Sequence, residues 1–258
     1  MQATNFNLQD YFTRIGYADQ HEANIDTLRA VMGCQLFSVP FENLDVQAGK
    51  VISMVPEVIV DKLVYGQRGG YCYEVNGLFA MALQALGFDY QLVAARPMFY
   101  PVRRPKTHMA IVVKLGQQAW LCDLGFGSYG IRAPMSLGAL DQEVQQDSDC
   151  FMLSTSSQDT FLLKAKVEQH WQPQFEFNLT PWEFIDFAPA NYMNSTHPDS
   201  IFVQKLLVVL QTPEGRHVLF GNTLKSFING VVEKRILSVE GRTDALKTVF
   251  GLTVVDQA

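Results

Sequence analysis

The chain has 258 residues, 48% of them apolar and 18% charged, enough for a sizeable core in one large domain or in two to three packed subdomains. A formal charge of -6 and a pI near 5.3 exclude the global positive field that draws a protein to nucleic acid or anionic lipid. No run approaches the roughly 18 apolar residues of a membrane span, and the polar start Met1-Gln2-Ala3-Thr4-Asn5 lacks the parts of a secretory signal, so the cytoplasm is the expected address.

In chain order, the first third reads as helical: Leu8 to Ile15, Asn24 to Phe37, and Val55 to Tyr65 with Pro56 suited to a first turn. A fourth helix starts at Cys72 after Gly69-Gly70. Its apolar residues Val75, Leu78, Phe79, Ala82 and Leu86 recur at spacings of three and four, and Gly87 supplies the stop. From residue 88, short runs rich in Val, Leu, Phe and Tyr predict strands at 90–95, 107–114, 118–124, 150–154, 160–168 and 170–178. Thr180-Pro181-Trp182-Glu183 has the form of a capping box and predicts a helix leading out of the sheet. Beyond the loop 194–200, strands are predicted near 201–211, 216–220 and 227–238, with a short terminal helix from about Thr243.

Helices, then strands, then a mixed segment point to an α+β architecture, because a parallel βαβ fold would interleave the two throughout. The boundaries read as 1–87 helical, 88–180 mostly antiparallel β, 181–200 a connecting helix and loop, and 201–258 a last α/β part.

Four cysteines, at 34, 72, 122 and 150, form no Cys-x-x-Cys pair; neither a disulfide framework nor a metal site is expected. Only Cys72 has a chemical context. In Arg68-Gly69-Gly70-Tyr71-Cys72, paired glycines allow a sharp turn that delivers a thiol to a helix start. There the helix dipole and free N–H groups favour a thiolate and could hold an oxyanion. Of five histidines, His108 alone opens an apolar strand, Thr107 to Lys114. The next strand ends at Asp123, an acid in an apolar setting that requires a partner. Both even-loop registers, Lys114 opposite Gln117 or Leu115 opposite Gln118, put His108 and Asp123 on one face, whereas a three-residue loop would separate them. Cys72, His108 and Asp123 are therefore the expected nucleophile, base and orienting acid.

Taken together, Pro40-Phe41-Glu42-Asn43-Leu44, the stretch Arg68 to Gly77, Thr107-His108-Met109 and Asp123-Leu-Gly-Phe-Gly127 resemble the arylamine N-acetyltransferase family across nearly the whole chain. The resemblance implies a papain-like core: an N-terminal helical bundle, a central antiparallel β-barrel and a C-terminal α/β lid. It implies acetyl-CoA as acyl donor and an aromatic amine or hydrazine as acceptor, in ping-pong turnover through an acetyl-cysteine, a role in xenobiotic metabolism. Arg68 would pair with Glu42 beside Gly69 and Gly70, while Phe41, Phe126, Gly127, Ser128 and Phe202 would meet the substrates. Arg103, Arg104 and Lys106 form a local basic cluster that could meet the phosphates of CoA.

Departures from the family pattern are Tyr73, where phenylalanine is more usual and whose hydroxyl needs a partner, and Pro97, which stiffens a pocket wall. Two other readings stay open on the same triad: amide (macrolactam) synthesis within the family, and a cysteine hydrolase or transglutaminase-like activity. The oligomeric state is not legible.

Overall fold

In the computed structural model, residues 1–127 and 129–253 are described. The first helix, α1 (Leu8–Ile15), begins where the Asn7 side chain accepts from the N–H groups of Gln9 and Asp10, and it stops at Gly16, whose φ of 70° suits glycine. α2 (Ile25–Ser38) is capped in the same way by Asn24. A two-residue strand β1 (Phe41–Glu42) and the single turn α3 (Leu44–Gln47) follow. The predicted helix 55–65 is interrupted: α4 (Pro56–Val60) passes into a π-turn, Asp61–Tyr65. The next helix, α5 (Cys72–Ala85), is buried from Cys72 through Leu83. Polar links pin it to the bundle, for Tyr11 Oη donates to Gln35 Oε1 at 2.7 Å and Gln35 Nε2 donates to the Val75 carbonyl at 2.8 Å.

The next strands are β2 (Asp89–Pro97), β3 (His108–Leu115), β4 (Gln118–Cys122), β5 (Met135–Ser136), β6 (Val144–Gln146), β7 (Asp149–Ser157), β8 (Thr160–Val167) and β9 (His170–Trp182). They form one antiparallel sheet in the order β5-β4-β3-β2-β9-β8-β7-β6. The expected barrel is thus an open sheet, curled into half a barrel. Its short edge strands β5 and β6 went unpredicted.

The capping box expected at Thr180 does not form. β9 instead continues through Pro181, which lies opposite Val93 of β2, while β8 pairs no further along β9 than Phe177. Pro181 therefore sits where only one neighbour needs hydrogen bonds, and its missing N–H costs little. The cap falls three residues later, at Glu183, whose N–H donates to Asp186 Oδ2 at 3.0 Å. A 3-10 turn, Phe184–Phe187, then leads into α6 (Ala188–Thr196).

Two more expectations are corrected in the last part. Residues 201–204 form the short helix α7 (Ile201–Gln204), not a strand, because the carbonyls of Phe202 and Lys205 are taken by the Asn43 amide at 2.7 and 2.8 Å. Strands β10 (Leu207–Thr212), β11 (Gly215–Phe220), β12 (Thr223–Ile228) and β13 (Val231–Ile236) follow. The single strand expected over 227–238 is a hairpin turning at Asn229-Gly230, with φ of 48° and 79°, the left-handed pair that such a tight turn needs. The final helix α8 (Val239–Thr248) starts earlier than expected, capped by Ser238.

The second sheet runs β1-β10-β11-β12-β13, so its edge strand β1 comes from the N-terminal segment. Most of the apolar core is continuous across the helices, the large sheet and Val209 of β10. A smaller core forms where Ala245, Leu246, Phe250 and Leu252 pack on Val208, Leu219 and Leu224. Among the described residues, no helix is long and apolar enough to cross a membrane.

Candidate active site

The loop before Cys72 is held by close backbone contact. Gly70 N–H donates to the Pro40 carbonyl at 3.2 Å, and Glu42 N–H donates to the Gly70 carbonyl at 3.0 Å. A Cβ on Gly69 would lie 2.0 Å from the Pro40 oxygen, and one on Gly70 would lie 2.6 Å from Cβ of Glu74. Neither glycine has a positive φ, so the pair serves close approach, not the dihedral freedom that the sequence suggests.

Behind this loop lies a buried charge cluster. Arg68 meets Glu42 Oε1 through Nε at 3.0 Å and Nη2 at 2.7 Å, while Lys62 reaches Asp45 and Glu74 at 2.7 Å each. The π-turn carries Lys62, whose role the sequence reading missed. Burial alone would lower the Lys62 pKa, but Glu74, Glu42 and Asp45 hold it well above the usual lysine value. Burial pushes the Glu74 carboxyl up to about 7, opposed by Lys62 and reinforced by Glu42. Glu74 Oε2 also accepts from the Tyr71 N–H at 3.0 Å, which caps the helix that starts with Cys72.

The hairpin takes the second of the two even-loop registers, Leu115 opposite Gln118. It brings His108 Nε2 to 2.7 Å from Asp123 Oδ2, with His108 4% and Asp123 1% exposed. The other oxygen, Oδ1, accepts from Asn76 Nδ2 and from the Gly125 N–H, both at 2.9 Å. Asp123 is thereby satisfied on both oxygens, as a buried carboxylate must be. Engagement of Nε2 leaves the imidazole Nδ1 without a protein partner among the described residues. The ring packs between Phe126 and Phe175, with centroids at 5.1 and 5.2 Å.

Asn76 was not singled out from the sequence, although a signal existed: it stands four residues after Cys72 and so shares its helix face. The Tyr73 hydroxyl finds its partner in the Thr107 carbonyl at 2.8 Å, which also accepts from Asn194 Nδ2 at 3.0 Å. These bonds hold the residue immediately before His108.

Burial pushes the Cys72 thiol up, and Asp123 and Glu74 add to this, while the backbone N–H groups of Met109 and Tyr73 oppose it. A Cβ on Gly125 would lie 2.5 Å from Cα of Cys72. Glycine there lets the Asp123 loop press on the cysteine itself.

Cys72 and His108 share a cavity of about 150 Å³ with Phe41, Phe126, Phe202 and Arg104 among its walls. Of the residues expected to meet substrate, Phe41, Phe126 and Phe202 thus line it. Gly127 lies outside this wall, its carbonyl accepting from Gln211 Nε2 at 3.2 Å; Ser128 is outside the described residues. Pro97 is also a lining residue. The basic cluster is divided, since Arg103 meets Glu176 at 2.6 Å, Lys106 meets Asn178 at 3.3 Å, and Arg104 turns to the cavity. Among the described residues, no group of His, Cys, Asp and Glu is arranged to hold a metal ion.

Known proteins are similar to this chain in both sequence and fold. The model of a family described as N-acetyltransferase matches residues 24–258. The arylamine N-acetyltransferase of Escherichia coli K12 is 32% identical over 96% of this chain and 90% of its own length. That of Mycolicibacterium smegmatis is 34% identical over 98% and 94%. The solved Salmonella typhimurium arylamine N-acetyltransferase superposes with a TM-score of 0.92 at 28% identity, over 100% of this chain and 94% of that one. The Mycobacterium marinum enzyme in complex with CoA gives 0.89 at 31% identity, over 95% and 92%. The chain belongs to the arylamine N-acetyltransferase family, whose members are transferase enzymes.

Proposed function

We propose that this enzyme transfers an acetyl group from acetyl-CoA to an aromatic amine or hydrazine through an acetyl-Cys72 intermediate. The observation that carries the reading is a thiol at a helix start sharing one cavity with a histidine whose Nε2 is held by Asp123. On this reading residues 1–87 supply the nucleophile in a papain-like arrangement, 88–180 supply its base, 181–200 connect, and 201–258 act as a lid.

A buried thiol does not ionise alone, so its proton goes to His108 Nδ1 as the thiolate attacks the acetyl carbonyl. Asp123 stabilises the imidazolium that forms and fixes the ring. CoA then leaves, taking the proton. In the second half an amine attacks the thioester, His108 accepts the amine proton, and Cys72 is regenerated as the amide departs. Aromatic amines suit this step because they keep a free lone pair near neutral pH. A cavity of about 150 Å³ is the size that holds one benzene ring. Use of it in turn by donor arm and acceptor ring fits ping-pong turnover.

Intact-protein mass spectrometry after brief mixing with acetyl-CoA tests the reading. One acetyl group is expected on the wild type, none on Cys72→Ala, and loss of the group when an aniline is added. An unmodified wild type would sink it.

A further inference from the structure

Both peptide neighbours of His108 are gripped by the helix that carries Cys72. Pairing of β4 with β3 ends at Ile111, opposite Cys122, so the start of β3, His108 to Ala110, has no strand neighbour on that side. Helix α5 takes the place of one. Tyr73 Oη donates to the Thr107 carbonyl at 2.8 Å, Asn76 Nδ2 donates to the Met109 carbonyl at 2.7 Å, and the Met109 N–H favours the Cys72 thiolate. From the other side, α6 adds to the same grip. Its Asn194 Nδ2 gives the Thr107 carbonyl a second bond at 3.0 Å, while Asn191 and Ser195 meet the Tyr71 hydroxyl. Tyr71 and Tyr73 flank Cys72 in sequence, as Thr107 and Met109 flank His108.

We propose that Tyr73 is a positioning residue for proton transfer between Cys72 and His108, supported by Asn194 at the carbonyl the two share. This deepens the proposed mechanism and rests on His108 being the base. A peptide unit is planar, so fixing the Thr107 carbonyl fixes the plane from which the His108 Cα departs. The bond to Asp123 then orients the far end of the ring. Because one peptide bond joins Tyr73 to Cys72, its hydroxyl ties the base to the nucleophile by a short path. The Tyr73 ring is fully buried and stands outside the cavity wall, which keeps it from the substrates. A buried carbonyl needs a donor in any protein, but a bond that served only this need would act on stability alone. Misplacing a reacting group by about 1 Å costs about 10²-fold in rate, so a bond that sets the His108 backbone acts on the chemistry as well.

Tyr73→Phe removes the hydroxyl and keeps the ring. Alkylation of Cys72 by iodoacetamide, followed against pH, reads the Cys72–His108 pair without any acyl donor. The variant's rate at neutral pH is expected to fall about tenfold, with the profile moved to higher pH, and Asn194→Ala should move it the same way. Single-turnover acetylation of Cys72 should slow by a similar factor, with the half-saturating acetyl-CoA concentration unchanged. A double-mutant cycle with His108→Ala separates positioning from packing. In that background Tyr73→Phe should change the alkylation rate by less than about twofold, because the group it acts through is gone.

Coincident profiles for Tyr73→Phe and the wild type overturn the proposal. So does a loss that persists undiminished in the His108→Ala background, since the hydroxyl would then support only the fold. If His108→Ala itself alkylates like the wild type, the base assignment fails first and this inference falls with it. A wild type that takes no acetyl group from acetyl-CoA defeats the transferase reading, and the alkylation cycle still decides the role of Tyr73.

Discussion

A cysteine as buried as Cys72 is a poor acid, and its surroundings make it poorer, since burial, Asp123 and Glu74 all push the thiol up against the help of two backbone N–H groups. On the proposed mechanism, its reactivity at neutral pH depends on a proton acceptor beside it. His108→Ala is expected to lower acetyl transfer by about 10²- to 10⁴-fold and to move alkylation of Cys72 by iodoacetamide to higher pH. An alkylation profile that stays where the wild type has it would remove His108 as the base. The three residue types and their order were legible because a thiol after paired glycines, a histidine opening an apolar strand and an aspartate closing the next one are local patterns. What supports them was less so. Asn76, which binds Asp123, reads as one more polar residue until the helix face is drawn, and the reach of Arg104 into the cavity follows from no spacing at all.

Elements were legible where their ends carry chemistry. Asn7 and Asn24 cap α1 and α2 as side chains of their kind do. The Thr180 capping motif failed because pairing with β2 outweighed a local preference worth about 1 kcal/mol, and the Asn229-Gly230 turn was a signal present but passed over. The π-turn after α4 had no signature in the sequence. It carries Lys62, which meets Glu74 at 2.7 Å under the helix that starts at Cys72. This juncture is sensitive to pH. A carboxyl raised from its unfolded value of about 4.3 to about 7 favours folding at low pH. That contribution is complete below about pH 4 and is lost as pH rises through about 7. Glu74→Gln abolishes this linkage. The melting midpoint of the wild type should therefore fall relative to that of the variant between about pH 5 and 8, and parallel curves would count against the shifted carboxyl.

At the scale of the molecule, Arg132 ties the two sheets together from a position only 2% exposed. It donates to Asp147 at 3.0 Å and Asp149 at 3.2 Å beside the large sheet. Toward the small sheet it donates to Gln211 at 2.7 Å, the Gly215 carbonyl at 3.1 Å and the Thr212 carbonyl. Arg216 adds a second tie, meeting Asp149 at 2.7 Å and lying over the Tyr129 and Phe227 rings. Arg132→Ala strands several of these groups without a partner. It should cost about 3–5 kcal/mol, a fall in melting midpoint on the order of 10 °C, measured by calorimetry. A fall of a degree or two would mean that the sheets are held by their apolar contacts instead. Gln211 couples this tie to the site, because its amide also donates to the Gly127 carbonyl, four residues after Asp123.

By itself the sequence determined the candidate site residues, the α+β order of elements and the family, because helix periodicity, turn chemistry and the motifs around Cys72, His108 and Asp123 are written in residues close together along the chain. Tertiary structure decided which of two registers the hairpin takes, which strand neighbours Pro181, that β1 joins the last sheet, and which of three neighbouring cations enters the cavity. Each of those outcomes depends on partners far apart in sequence, such as Arg104 with Asp199 or Asn43 with Phe202. Their contact is settled by the packing of whole elements, and no local pattern records it.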